Sequence, residues 1–270
     1  MTTGATVTLQ PPTPRPSVAG VILIGIWAVV LLGLILALAS SVSGDRLDRY
    51  GWLIVRGFFT TIRLVAASLI VGAAISVPVA AGRLSRNRVA GVLAYAYSYF
   101  FRGTPLIAQT FLIYYGAGQF ALELRGIGLW WFFRDAYNCA ILAFALNTAA
   151  YQSEILSGAI RAVPAGQREA AHALGLHAFP ILWRIVLPQA LIIALRPYGN
   201  EVVLMIKASA IASIITVLDL MGQTRYVFSQ TYDISFYLWA AVFYLVLVEA
   251  LRRASNALER RITRHLARAK

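Results

Sequence analysis

The sequence predicts an all-α integral membrane protein with about six transmembrane helices. Three observations carry that expectation. Hydrophobic residues make up 59% of the 270 and charged ones only 13%, with a mean hydropathy of +0.70, too little polar surface for a soluble globule. Apolar runs long enough to cross a hydrocarbon core of about 30 Å recur along the chain. The formal charge of +13 is clumped, with basic groups gathered in 83–88, 161–184 and 252–270. If successive runs cross the bilayer in alternation, all three basic segments fall on one side, which the bias of Lys and Arg makes the cytoplasmic side.

Residues 1–18 contain Pro11-Pro12-Thr13-Pro14-Arg15-Pro16 and few apolar groups, which suits a disordered tail. Val21 to Ser40 is the first span, an extra helix over 19–41. Ala37-Leu38-Ala39 before Ser40 has the look of a signal-peptidase site, but the run is long and only Arg15 precedes it as charge, so a retained span is expected. Residues 41–56 face outward either way. Phe58 to Ala81 forms the second span and ends at Gly82-Arg83 and a cytoplasmic loop with Arg86 and Arg88. Tyr95, Tyr97, Tyr99, Phe100 and Phe101 suit the headgroup level and predict an interfacial helix.

In Arg102-Gly103-Thr104-Pro105, Thr104 is expected as an N-cap and Pro105 as the first residue of a third span, which ends near Leu122. Residues 123–136 mix Glu123, Arg125, Arg134 and Asp135 with Trp130 and Trp131, an external loop with an aromatic anchor. Tyr137 to Ile160 returns the chain to the cytoplasm, Gln189 to about Val217 is the fifth span, and Phe236 to Leu251 is the sixth. Between the last two lies a second external loop, 218–235, with Asp219, Arg225 and Asp233. The basic tail 256–270 repeats Leu258, Ile262 and Leu266 at four-residue spacing, fitting either an amphipathic helix on the inner membrane surface or a solvated one. Because the tail follows an apolar span directly, anionic lipid headgroups suit it better than nucleic acid.

The cytoplasmic segment 161–188 carries the most specific pattern: Glu169-Ala170-Ala171, then Gly175, then Ile185, Leu187 and Pro188. Pro164 opens a short helix, Gly175 ends it by accepting a positive φ, and a second helix runs into Pro188. Small alanines permit close backbone approach, and Glu169 offers a charge to cap a helix or pair with a partner's Arg. Short helices outside the lipid can pass motion from a soluble engine to membrane helices; a plain Ala/Gly-rich connecting loop is the alternative. The chain lacks GxxxxGK[ST], so it does not cradle nucleotide phosphates by that route. An intramembrane enzyme would need a nucleophile, histidine or carboxylate pair at depth, and His172, His177 and His265 all fall in cytoplasmic segments without ligand spacing. Cys139 is the lone cysteine, excluding an internal disulfide and a multi-cysteine metal site. Neither a metal nor a cofactor is expected.

Ionisable groups at membrane depth cost several kcal/mol unless paired or facing a wet cavity. Glu201 lies about 20 Å along the fifth span, beyond Arg196-Pro197-Tyr198-Gly199, a tetrad expected to interrupt the helix. Two roles suit Glu201: receiving the cationic end of a substrate, with Tyr198 and Asn147 nearby, or pairing with Lys207 or Arg196 to fix helix packing. Glu154 is expected to make an interhelical contact, and Glu249 a local pair with Arg252 and Arg253.

The pattern from Glu169 to Pro188 resembles the EAA signature of ABC-importer permeases at every position that signature specifies. Phe101 to Pro105, Leu146 to Tyr151, Glu154-Ile155, Ser157 to Ile160, Asn200-Glu201-Val202 and Lys207-Ala208-Ser209 extend the likeness over about 57–255. These resemble polar amino-acid permeases, within them the histidine/lysine/arginine and opine group. That resemblance implies a type I importer permease fold, here a five-helix core plus one N-terminal helix, in the bacterial inner membrane with the C-terminus in the cytoplasm. It implies a second permease subunit, a sister chain or an identical copy, a dimer of ABC ATPase subunits that bind ATP and Mg²⁺, and a periplasmic solute-binding protein that delivers a polar amino acid. Asn147, Tyr151, Tyr198 and Glu201 are then the candidate substrate path, and Arg102, Gly103, Thr104 and Pro105 a structural motif. A carrier or channel acting without an ATPase is the competing class.

Overall fold

The computed structural model describes residues 17–41 and 44–263; most of the expected N-terminal tail, His265 and Leu266 lie outside them. Every regular element among the described residues is helical. The chain divides into two compact units, Met1–Gly44 and Asp45–Lys270. The first holds α1 (Val18–Ser41), 24 residues of almost unbroken apolar sequence whose large side chains, from Val21 to Leu36, are exposed. A helix that is apolar all round is made for lipid or for cover by other protein.

The second unit begins with α2 (Gly44–Leu84), α3 (Arg88–Gly103) and α4 (Leu106–Gln119), followed by the short α5 (Ala121–Gly126) and α6 (Trp130–Phe133). Then come α7 (Ala136–Ala162), α8 (Ala165–Ala173) and α9 (Ala178–Pro180). A π-helical turn (Ile181–Val186) leads from α9 into α10 (Leu187–Ala208), and a 3₁₀ stretch (Ser209–Ile215) precedes α11 (Leu220–Thr231) and α12 (Ser235–Ile262). α7 is the axis: 14 of its 27 residues are buried, and α3, α4 and α10 pack along it. Gly72 brings α2 against it too, since a Cβ there would overlap the Thr148 methyl and crowd the Ala145 carbonyl.

Among the described residues, four helices suit a membrane crossing by length and composition: Gly20–Ser40, Asp48–Leu84, Ala178–Ile215 and Ser235–Ile262. α7 falls outside that set because its buried face carries Asn147, Thr148, Gln152, Ser153 and Ser157, polar groups an axial helix can hold when neighbours supply partners. α4, with 14 residues, is about 21 Å long.

Several local expectations are corrected. α2 starts well before Phe58, because Tyr50, Leu53 and Ile54 pack with Leu220, Val227 and Phe236 and tertiary burial extends the helix. The aromatic stretch belongs to α3, which packs on α7 rather than lying apart at an interface: the Tyr97 hydroxyl donates to the Leu146 carbonyl at 2.7 Å. Thr104 is the C-cap of α3, not an N-cap; its hydroxyl donates back to Phe100 O at 2.8 Å, and Pro105 takes the N-cap position of α4. Residues 220–231 are helical, with Asp219 as N-cap accepting from Gly222 N–H at 2.8 Å. The expected sixth span and the start of the basic tail form one helix, α12. Arg196 to Gly199 does not interrupt α10, which runs through Pro197; Gly199 instead lets Ser255 of α12 approach, 3.3 Å from where a Cβ would sit.

Candidate functional sites: a helical hairpin and a buried polar cleft

The segment after α7 folds into a tight hairpin. Pro164 stands at the N-cap of α8, where its missing N–H costs no hydrogen bond. The far end closes in a Schellman arrangement: Gly175 N–H donates to His172 O at 2.9 Å and Leu176 N–H to Ala171 O at 3.1 Å, with Gly175 at φ +77°. Ala171 is buried with Val163, Ile181 and Val186, and Ile185 packs against that cluster. Glu169 and Ala170 face outward, as do Leu174, 81% exposed, and Phe179, 70% exposed.

The hairpin is tied firmly to the bundle. Arg168 donates to the Ile160 carbonyl, holding α8 to the last turn of α7. Arg161 donates to Arg83 O at 2.9 Å, joining that turn to the end of α2. On the other side the chain passes through the π turn and Leu187 into α10 without a break at Pro188. A proline ring crowds the carbonyl four residues back, here that of Arg184, and the wider π turn relieves the crowding.

The cleft lies at the corner between α3 and α4. A cavity of about 480 Å³ is lined by Arg102, Gly103, Thr104, Pro105, Asn147, Tyr151 and Glu201. The structure thus gathers three of the four candidate path residues with the whole Arg-Gly-Thr-Pro motif. Tyr198 is not among the lining; it packs with Ile155 and Ile160 against the hairpin's core. Glu201 is 5% exposed and accepts a hydrogen bond from Thr148 Oγ1 at 2.7 Å. Of the two roles open to Glu201, pairing with Lys207 or Arg196 is not what forms: Arg196 pairs with Glu259 at 2.6 Å, and Glu201 makes no ion pair among the described residues.

Gln109 and Thr148, absent from the sequence-based candidates, do much of the organising. Gln109 Nε2 donates to Phe101 O at 2.9 Å and to Thr104 Oγ1 at 2.7 Å. Asn147 Nδ2 donates to Phe101 O at 2.8 Å and to Gln109 Oε1 at 3.1 Å. Both amide protons of Asn147 are therefore spent on the corner, leaving its carbonyl oxygen as the group for a ligand. The signal for Gln109 was a lone amide inside an apolar run. Glu154 bridges helices, 2.7 Å from Arg83 and 3.6 Å from Arg102, while the Arg102 guanidinium lies 5.3 Å over the Tyr151 ring. Glu249 pairs locally with Arg252 and Arg253. Among the described residues no group of three or more His, Cys, Asp or Glu is placed to hold a metal ion.

Comparison with known proteins places these features in context. Residues 72–264 match the family described as binding-protein-dependent transport system inner membrane component. The nopaline transport system permease protein NocM of Agrobacterium fabrum is 48% identical over 195 residues, 72% of this chain and 81% of that protein. The histidine/lysine/arginine/ornithine transport system permease protein HisM of Salmonella typhimurium is 41% identical over 218 residues, 78% of this chain and 90% of the other. A solved amino acid ABC transporter crystallised with histidines superposes with a TM-score of 0.72 at 31% identity, covering 82% of this chain and 99% of that one.

Proposed function

This chain belongs to the binding-protein-dependent transport system inner membrane components and is a permease subunit of an ABC transport system; from that premise we propose that it carries a basic amino acid or an opine inward while separate ATPase subunits hydrolyse ATP. The substrate arrives on a periplasmic binding protein. A second permease subunit, a sister chain in the reading we favour, completes the membrane channel, and the ATPase pair holds ATP and Mg²⁺. The permease domain occupies 57–255, preceded by the extra helix over 19–41, and the C-terminus lies in the cytoplasm.

The observation that carries the proposal is the hairpin at Gly175. Its core is anchored to both α7 and α10 through Ala171, Ile181 and Val186, while Glu169, Ala170, Leu174 and Phe179 are left outside. Such a projection suits an ATPase surface: force applied there reaches two helices that also line the cleft. Glu201, buried with a single hydroxyl partner, suits the cationic end of a substrate better than a packing ion pair. The test is reconstitution of the whole complex with Gly175→Val; uptake and ATPase coupling that match the unaltered complex would refute the coupling role. Copurification of a nucleotide-binding subunit separates this reading from a carrier acting alone, and impermeant labelling of Glu169→Cys from the outer face would overturn the orientation.

A further inference from the structure

Two guanidiniums stand beside one carboxylate of α7, while a second carboxylate nearby has none. Glu154 lies 2.7 Å from Arg83 and 3.6 Å from Arg102, whereas Glu201 accepts only from Thr148 Oγ1 among the described residues. Arg83 by itself meets the charge of Glu154: its side chain is 16% exposed, against 44% for Arg102, and Arg161 holds the Arg83 carbonyl at 2.9 Å. Arg102 is the looser partner. Its guanidinium rests 5.3 Å over the Tyr151 ring, and Arg102, Tyr151 and Glu201 all line the cleft. Thr148, Tyr151 and Glu154 are successive i, i+3 positions of α7, each about 4.5 Å further along the helix axis. The guanidinium therefore stands on the middle rung, with the Thr148 hydroxyl and Glu201 on one side and Glu154 on the other. A carboxylate at this depth is costly without a cation, and Arg102 is the one cation among the described residues that line the cleft.

We propose that Arg102 is a positioning residue that moves between these carboxylates: it neutralises Glu201 between transport events and withdraws over Tyr151 to Glu154 when the substrate's cationic end arrives. Its return then displaces that end and speeds release. A buried carboxylate that gripped a cation with no rival would stall turnover; a rival fixed to the same wall acts at high effective concentration and needs no second ligand. Withdrawal also adds Arg102 to the bridge between Glu154 and Arg83, drawing the corner between α3 and α4 toward α7 and the end of α2. The exchange rests on the reading of Glu201 as the substrate's counter-charge; the pairing of Arg102 with Glu201 does not.

Two measurements on the complete permease and ATPase assembly test this. The first is a ligand-free melting cycle with Arg102→Gln, Glu201→Gln and both together. Arg102→Gln alone is expected to lower the melting midpoint by several degrees, because it strands Glu201, and Glu201→Gln in the same chain to restore most of the loss. Additive shifts would overturn the pairing. The second is equilibrium binding of radiolabelled L-arginine and of L-citrulline, its neutral isostere, with maximal ATP-driven uptake of each in liposomes that also hold the binding protein. Arg102→Gln should tighten L-arginine roughly threefold while lowering its maximal uptake by a similar factor. Glu154→Gln, which frees Arg102 to stay on Glu201, should weaken L-arginine roughly threefold. L-citrulline should change by less than about twofold in either variant. Weaker binding of both ligands in Arg102→Gln would show Arg102 holding the carboxylate they share, and would overturn the exchange. So would lower uptake of L-arginine at unchanged affinity, the mark of a purely structural role. A coupled melting cycle in an assembly that neither binds nor takes up L-arginine would instead overturn the basic-substrate reading and leave the pair of Arg102 and Glu201 standing.

Discussion

The hairpin at Gly175 and the cleft at Glu201 are built on the same two helices, α7 and α10, yet each inverts the other's chemistry. The hairpin buries apolar groups such as Ala171, Ile181 and Val186 and turns Glu169, Leu174 and Phe179 outward. The cleft buries a carboxylate and two amides and satisfies them with side chains of neighbouring helices and with the Phe101 carbonyl at the end of α3. The first is held by backbone geometry and the second by a side-chain network, so they should fail under different substitutions.

The largest expected effect is at the hairpin. Gly175 has open space around it but sits at φ +77°, so a substitution meets no clash and only backbone strain. A β-branched residue in the left-handed region costs about 1–2 kcal/mol, enough to unseat the Schellman turn. Gly175→Val should cut ATP-driven uptake roughly tenfold or more while substrate binding stays near normal, and Gly175→Asn, which tolerates this region, should retain most of it. Equal loss in both variants would mean that the position senses side-chain bulk rather than φ.

The cleft should respond next. Glu201→Gln keeps the shape and an acceptor for Thr148 while removing the charge. Uptake of a cationic substrate should fall by roughly tenfold with basal ATP hydrolysis unchanged. Thr148→Val leaves the buried carboxylate without its donor and should lower thermal stability instead, by about 1–3 kcal/mol. If Glu201→Gln destabilises the complex and leaves relative uptake of cationic and neutral amino acids alone, the cleft is a packing device and the contrast with the hairpin disappears.

Those two regions were also unequally legible. The hairpin could be read from spacing because its parts are consecutive: proline to open, glycine to close, alanines between, all within one short segment. Asn147, Tyr151 and Glu201 stand out one at a time as polar groups at depth, but their meeting depends on how α3 turns into α4, a corner that the local sequence pattern does not reveal. Thr104 looked like an N-cap from its neighbour Pro105, whereas the Gln109 amide, five residues on, captures its hydroxyl and carbonyl. Tyr198 lies one turn from Glu201 in sequence but points its ring into the hairpin's core. Segment 218–235 read as a loop because its polar residues hide the burial of Leu220 and Val227 against α2 and α12, a contact that no local pattern announces.

A smaller effect comes from Asp219, outside the spans, which is fully buried. Burial pushes its carboxyl up from 3.8 to about 6, against the lowering pull of the Gly222 N–H and the Tyr244 hydroxyl. The folded form therefore holds the proton more firmly than the unfolded chain. Stability from this group is present at low pH, declines as pH rises between about 3.8 and 6, and is level above that window. Asp219→Asn keeps an acceptor for the helix cap and should flatten that part of the melting profile; a profile unchanged by the substitution would place the titration elsewhere.

The smallest effect should be at Gly199, and it bears on how motion travels between hairpin and cleft. Were α10 broken at Pro197-Tyr198-Gly199, a side chain at Gly199 would stiffen a hinge and uptake would suffer. In a continuous helix, Gly199→Ala gains up to about 1 kcal/mol in helix propensity and meets only Ser255, 3.3 Å away, which can yield by tenths of an ångström. Stability and uptake should both stay close to the unaltered complex. That outcome would make α10 a rigid rod, with the pliable element at the π turn of Ile181–Val186, where hairpin and helix join. A clear loss of uptake at unchanged stability would move the hinge back to the middle of α10, beside Glu201.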